Sequence, residues 1–177
     1  MPKAVNADAK RQEILDACLF RFAEKGYASI SMRQIASSLG VTTGLLYHYF
    51  QSKRDILNAI LIHYRDQHLS DARLVLVDIA HPQTRLNVLC DFIDDRLDSM
   101  SALLMVAIDA SRVGDAQAKG LIQGVLFAYV QAISTLLHLS SEKANVIIDM
   151  TFGHLLRHAI GVNPIPLRQL IEPMKLA

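Results

Sequence analysis

Residues 30–53, ISMRQIASSLGVTTGLLYHYFQSK, hold two short helical segments joined at a single glycine. No other stretch restricts the fold as much, because its local chemistry settles where each segment starts and stops. Ser31 stands where a helix begins and Gln34 follows three residues later. That is the spacing of a capping box, in which each side chain satisfies a free backbone N–H at the helix start. Ile35, Ala36 and Leu39 make the apolar face of this first segment. Gly40 permits the left-handed backbone of a sharp exit, Val41 plugs the corner, and Thr42 can cap the second segment. Ala36 is small where the two helices cross, and Leu46 points back into the same core. A helix pair crossing at a steep angle needs residues of these types at these offsets, so the stretch reads as a helix-turn-helix.

With Leu46 turned inward, Thr42, Thr43, Gly44, Leu45, Tyr47 and His48 project outward or sideways. A helix with that face fits the major groove N-terminus first. The Thr hydroxyls can exchange hydrogen bonds with bases, and a Thr methyl or Leu45 can meet a thymine methyl. Gly44 lets the backbone come close, while Tyr47 and His48 are placed to reach phosphates. Arg33 is the candidate for a bidentate contact to guanine. Lys53 sits beside the free N–H groups of the next helix, where a phosphate can be held. Ser31, at the head of the first segment, completes the candidate DNA-contact set. Tyr49 and Phe50 are expected in the core.

The longer run GYASISMRQIASSLGVTTGLLYHYFQSKRDIL resembles the DNA-binding signature of the TetR family of transcriptional regulators. The resemblance rests on Gly26-Tyr27 before the helix pair, on Leu46-Tyr47-His48-Tyr49-Phe50 at the end of its second helix, and on Lys53 opening the next. It spans roughly residues 8–60, about a third of the chain. It implies an all-α fold with an N-terminal three-helix helix-turn-helix domain and a C-terminal helical ligand-binding and dimerisation domain. It also implies a small-molecule effector pocket in the second unit and a dimer formed through a four-helix bundle near the C-terminus.

Composition agrees with a folded, core-rich chain: 51% of the 177 residues are hydrophobic and 20% charged. The net charge of +1 conceals an asymmetry, because residues 1–66 hold nine Lys/Arg against six Asp/Glu and residues 67–177 hold nine against eleven. A module this weakly basic binds DNA poorly alone, so two copies are expected. No run of ~18 apolar residues free of charge is read in the chain, so no membrane span is expected. MPKAVNADAKRQ is no apolar signal segment, which points to the cytoplasm. Cys18 and Cys90 fall in apolar helical patterns and are expected as reduced core residues.

Beyond residues 1–7, expected to be disordered, the periodicity predicts helices over Asp8 to Lys25, the helix pair, Ser52 to about Val77, 83–99, 101–112, 116–138 and 142–160, with a turn at Val113-Gly114-Asp115 and one short terminal turn among Pro164, Pro166 and Pro173. The domains are placed at 1–51 (DNA binding) and 52–177 (ligand binding and dimerisation). The segments 116–138 and 142–160 are apolar around much of their circumference, which a twofold interface would cover. Gly153, His154 and Arg157 are assigned to that interface. Phe92, Met100, Met105, Asp109, Phe127, Gln131 and Met150 are assigned to the effector pocket, as adaptable apolar groups with a few polar ones among them.

His154 and His158 have the i, i+4 spacing of a metal pair, but no Cys lies near and no Glu lies between them, so no metal and no cofactor is expected. Asp91, Asp94, Asp95 and Asp98 read as a solvated stripe. Neither a Gly-rich phosphate loop nor a Gly-x-Ser-x-Gly elbow occurs, which argues against an enzyme. The expected function is a homodimeric repressor released from a near-palindromic double-stranded operator by a small molecule. The alternative is a helical protein-interaction module with the helix pair as scaffold.

Overall fold

A computed structural model describes residues 2–113, 116–162 and 165–173 of the chain, with side chains from residue 7 onward. The described residues form helices α1 (Pro2–Lys25), α2 (Met32–Ser38), α3 (Thr43–Tyr49), α4 (Lys53–Leu76), α5 (Pro82–Asp94), α6 (Leu97–Arg112), α7 (Ala116–Leu137), α8 (Ser141–Ala159) and α9 (Leu167–Ile171), and no strand. The all-α expectation holds. Gly114, Asp115 and Pro164, parts of the expected turn and terminal break, lie outside the described residues.

Two boundaries differ from the sequence reading. α1 begins at Pro2 rather than Asp8. Proline suits a first helical turn, whose N–H groups have no intrahelical acceptor, so nothing in the leading residues opposes the helix. The break after α5 comes at Asp95–Arg96, about five residues earlier than the periodicity predicts. One local residue and one distant one hold Arg96 at the break. The Arg96 guanidinium lies over the Phe92 ring at 3.9 Å, donates to the Phe92 carbonyl at 3.3 Å and pairs with Asp71 at 3.5 Å.

The buried side chains gather into two cores. The first joins Ile14, Leu15, Cys18, Leu19 and Phe22 of α1 with Ile35, Ala36, Leu46 and Phe50 of the helix pair, and with Ile56, Leu57, Ile60 and Leu61 of α4. The second is built from α5, the C-terminal half of α7, α8 and α9. Helices α4, α6 and α7 contribute to both. A boundary at residue 52 therefore falls at the cap of α4, and the first turns of that helix complete the core of the N-terminal head. Cys18 and Cys90 sit in the two cores as free thiols, and burial pushes the pKa of each up to about 12.

α7 corrects one expectation. Residues 120–137 carry no Asp, Glu, Lys or Arg, and the helix is long and apolar enough by composition to cross a membrane, with a mean hydropathy of 1.6. Only 22% of that window is buried within the chain. Its apolar surface is divided instead between the wall of an internal cavity and an open outer face, both described below.

Candidate nucleic-acid interface and internal cavity

The helix pair forms as its caps dictate. The Ser31 hydroxyl accepts the Gln34 N–H at 3.3 Å, and Gln34 Oε1 accepts the Ser31 N–H at 2.8 Å, so the capping box is complete. Gly40, at φ +64°, turns the chain, and Thr42 Oγ1 accepts the Leu45 N–H at 3.1 Å to start α3. Leu46 is the one fully buried side chain of α3. Thr42, Gly44, Leu45, Tyr47 and His48 are exposed and Thr43 half-buried, while Ser31 and Arg33 are exposed at the start of α2. The candidate DNA-contact residues thus share an accessible end of the molecule. Phe50 is buried and Tyr49 half-buried, as expected of core aromatics.

Lys53 is placed differently from its expected part. Its ammonium donates to the carbonyls of Tyr27 at 2.6 Å, Ala28 at 3.1 Å and Ile30 at 2.8 Å, and lies 4.7 Å from the centre of the Tyr27 ring. An ammonium has three N–H groups, and three carbonyls take them. The side chain therefore organises the loop between α1 and α2, and a phosphate would have to compete with that loop. Burial lowers its pKa from the ordinary 10.5, and the Asp109 carboxylate opposes the shift. The same loop is held from the other side, because Asp109 Oδ2 accepts the Ala28 N–H at 3.1 Å. Gly26, at φ +83°, brings the backbone to this junction, and a side chain there would strain the turn and stand 3.5 Å from Asp109.

Below the head, α4 to α8 line a cavity of about 270 Å³ that is partly open to solvent. Of the residues assigned to an effector pocket, Phe92 and Met100 line this cavity; Met105, Asp109, Phe127, Gln131 and Met150 do not. Helical rotation explains all five. On α6 the lining residues are Met100, Leu103, Leu104, Ala107, Ile108 and Ser111, a stripe at i, i+3, i+4 that passes by Met105 and Asp109. On α7 the stripe runs through Val125, Leu126, Tyr129 and Ile133, so Phe127, 64% exposed, and Gln131 point outward. On α8 it runs through Ile148, Thr151, Phe152 and Leu155, one step from Met150. Asp109 instead reaches the head loop.

The sequence reading missed His68 and Tyr129, which face one another across the wall with Nδ1 and Oη 3.0 Å apart. His68 is 5% exposed, and burial, with help from the Arg96 charge, lowers its pKa to about 4. The only signal available was two polar residues one helical period away from apolar runs, and surface residues give the same signal.

Of the three residues assigned to a dimer interface, His154 is buried. Its Nε2 lies 2.7 Å from Asp94 Oδ1, and that carboxylate also accepts the Leu167 N–H at 3.2 Å. His158 pairs with Asp98 at 2.8 Å and Arg168 with Asp91. Asp91, Asp94 and Asp98 thus tie α5 and α6 to α8 and α9, while Asp91, Asp95 and Asp98 keep the solvent exposure expected of the stripe. Gly153 and Arg157 are exposed, and no atom lies within 4 Å of where a Gly153 side chain would begin.

Two predictions follow from this geometry. Lys53→Met leaves three loop carbonyls without their cation; a loss of roughly 1–3 kcal/mol is expected as a lower melting temperature, and an unchanged one would contradict the anchoring role. His68 binds a proton near pH 6.5 when unfolded but only near 4 when folded. Its contribution to stability is whole above pH 6.5 and is lost as the pH falls toward 4, by roughly 3 kcal/mol. Denaturant melts of the chain and of His68→Phe across pH 4–7.5 should show a shallower fall for the variant, and parallel curves would refute the assignment.

Residues 14–60 match the family model described as bacterial regulatory proteins, tetR family. Over 122 residues the chain is 30% identical to the HTH-type transcriptional regulator BetI of Yersinia pestis, an alignment that covers 66% of this chain and 61% of BetI. The chain thus spans about three fifths of the length of that relative. The fold is similar to that of the regulator FadR from Bacillus subtilis in complex with stearoyl-CoA, with a TM-score of 0.76, 19% identity and coverage of 92% of this chain and 94% of that one. It is also similar to a transcriptional regulator from Saccharomonospora viridis in complex with choline, with a TM-score of 0.76, 18% identity and 94% of each chain covered. The helix-turn-helix with its caps and these matches agree: residues 14–60 form a DNA-binding segment of the kind found in the tetR family of bacterial regulatory proteins, and the helical body beneath it is similar in fold to regulators of that kind.

Proposed function

We propose that the protein is a homodimeric, DNA-binding transcriptional regulator, a repressor released from its operator when a small molecule enters the cavity beneath the head. The reading is carried by α3, which is fixed by its cap and by buried Leu46 while the rest of its leading surface stays open. That one-sided helix suits insertion into the major groove, with Arg33, Thr43 and Leu45 toward bases and Tyr47 and His48 toward phosphates.

The dimer is supported by the outer faces of α7 and α8. Gly120, Gly124 and Phe127 on α7, Gly153 and Leu156 on α8, and Ile160 at its C-terminal cap are all exposed in the single chain. Glycine among large apolar groups allows a second pair of helices to pack closely, giving a twofold four-helix contact. His154 is no part of it. The head (1–51) and the body (52–177) are then working units joined through α4. The effector reading is supported by the cavity and by the two structurally similar regulators with bound small molecules.

Affinity for DNA upstream of the protein's own gene, measured across salt, tests the reading. A dimer neutralising about six phosphates should lose affinity with a log–log slope near −5. Arg33→Ala and Thr43→Ala should change base preference, and Tyr47→Phe should weaken every site alike. Phe127→Glu with Leu156→Glu should dissociate the dimer and make the slope shallower. Weak, salt-independent binding to all DNA would contradict the proposal and favour a protein partner.

A further inference from the structure

The reading of the cavity as an effector site leaves open what the effector is, and the wall restricts it. Among the described residues on that wall, none is Asp, Glu, Lys or Arg. An ionic group carried into this space would lose its hydration and meet no counter-charge, a large penalty. The polar side chains there are four. Ser111 Oγ donates to the Ile108 carbonyl at 2.7 Å and Thr151 Oγ1 to the Ile147 carbonyl at 2.8 Å, so both hydroxyl protons stay on their own helices. The His68–Tyr129 pair remains.

Its chemistry can be counted. His68 is neutral at ordinary pH. If the Tyr129 hydroxyl donates to Nδ1, Nε2–H is the spare donor and the phenolic oxygen a spare acceptor. In the other tautomer the Tyr129 hydroxyl is the spare donor and Nε2 the spare acceptor. Either arrangement leaves one donor and one acceptor side by side; Ser111 and Thr151 add hydroxyl oxygens that can only accept, and the rest of the described wall is hydrocarbon. That donor and acceptor match a hydroxyl or a carbonyl group. A carboxylate or phosphate would need several donors. A quaternary ammonium would need an anion or a cage of free aromatic faces; among the described residues the wall holds no carboxylate, Phe92 already carries Arg96 over its ring at 3.9 Å, and Phe152 and Tyr129 are the two rings left.

We infer that the cavity binds an uncharged, largely hydrocarbon molecule whose single hydroxyl or carbonyl group is received between His68 and Tyr129. Those two residues belong to α4 and α7. A ligand group inserted at their hydrogen bond therefore acts on the contact between the helix that carries the head and the helix of the open outer face.

The test uses three probes with the same chain and different heads: decan-1-ol, decanoate and decyltrimethylammonium, each below its micelle-forming concentration. Binding is read by calorimetry and by the shift in melting temperature of the full chain without DNA. Decan-1-ol is expected to bind at one site per subunit and raise the melting temperature. The two ions should bind at least tenfold more weakly. Tyr129→Phe, which keeps the ring, should weaken decan-1-ol about tenfold, and Ala107→Phe, which fills the cavity, should abolish the effect. Equal or tighter binding of either ion, or an unchanged affinity in Tyr129→Phe, overturns the inference. If no probe binds, both this inference and the effector reading fail, whereas DNA affinity measured separately is untouched. If decan-1-ol binds as described but does not release DNA, the ligand class stands and the release mechanism alone fails.

Discussion

The arrangement depends on one uninterrupted helix being buried at both ends in different cores. α4 starts in the head, where Ile56, Leu57, Ile60 and Leu61 pack against α1 and the helix pair, and ends in the body, where Ala72 and Leu76 are buried. At 1.5 Å per residue its 24 residues span about 36 Å. A rigid rod fixed at its far end by packing cannot shift without carrying the head along. The cavity wall includes Leu61, His68, Leu69 and Ala72 of this rod, so any change in the volume of the cavity bears on the rod directly.

α6 supplies a second, shorter connection. Its cavity stripe runs from Met100 to Ser111, and Asp109 on a different face holds the backbone of Ala28. Lys53 grips the carbonyls of the same loop from the start of α4. The loop between α1 and α2 is therefore clasped by a carboxylate from the body and an ammonium from the rod, each closing hydrogen bonds that the irregular backbone cannot make for itself. The entry into the helix pair is held by this clasp as well as by the apolar core beneath it.

The helix pair was legible in the sequence because its determinants are local: a cap and its partner lie three residues apart, and Gly40 alone permits the turn. Residues facing solvent on α3 followed directly once Leu46 was placed inside. The cavity was less legible for the opposite reason. Helices α6, α7 and α8 are apolar on more than one face, so residue type does not say which face meets the cavity; Met105, Phe127 and Met150 have the right chemistry on the wrong side of their helices. Asp109, Lys53 and His154 were misplaced because their partners are 81, 23 to 26 and 60 residues away in sequence. A charged residue in an apolar pattern announces that it needs a partner without saying which one.

Release of the proposed dimer from its operator requires that filling the cavity reset the spacing of its two recognition helices. This is tested most directly by pulsed electron–electron spin resonance on that dimer labelled at Gln51→Cys, an exposed position beside the cap of α4. Cys18 and Cys90 are buried, and their raised pKa values leave little thiolate to take up label. With decan-1-ol bound, the distance between the two labels should move by about 3 Å or more, on the order of a tenth of the ~34 Å between half-sites. An unchanged distance distribution at saturating ligand would contradict the account.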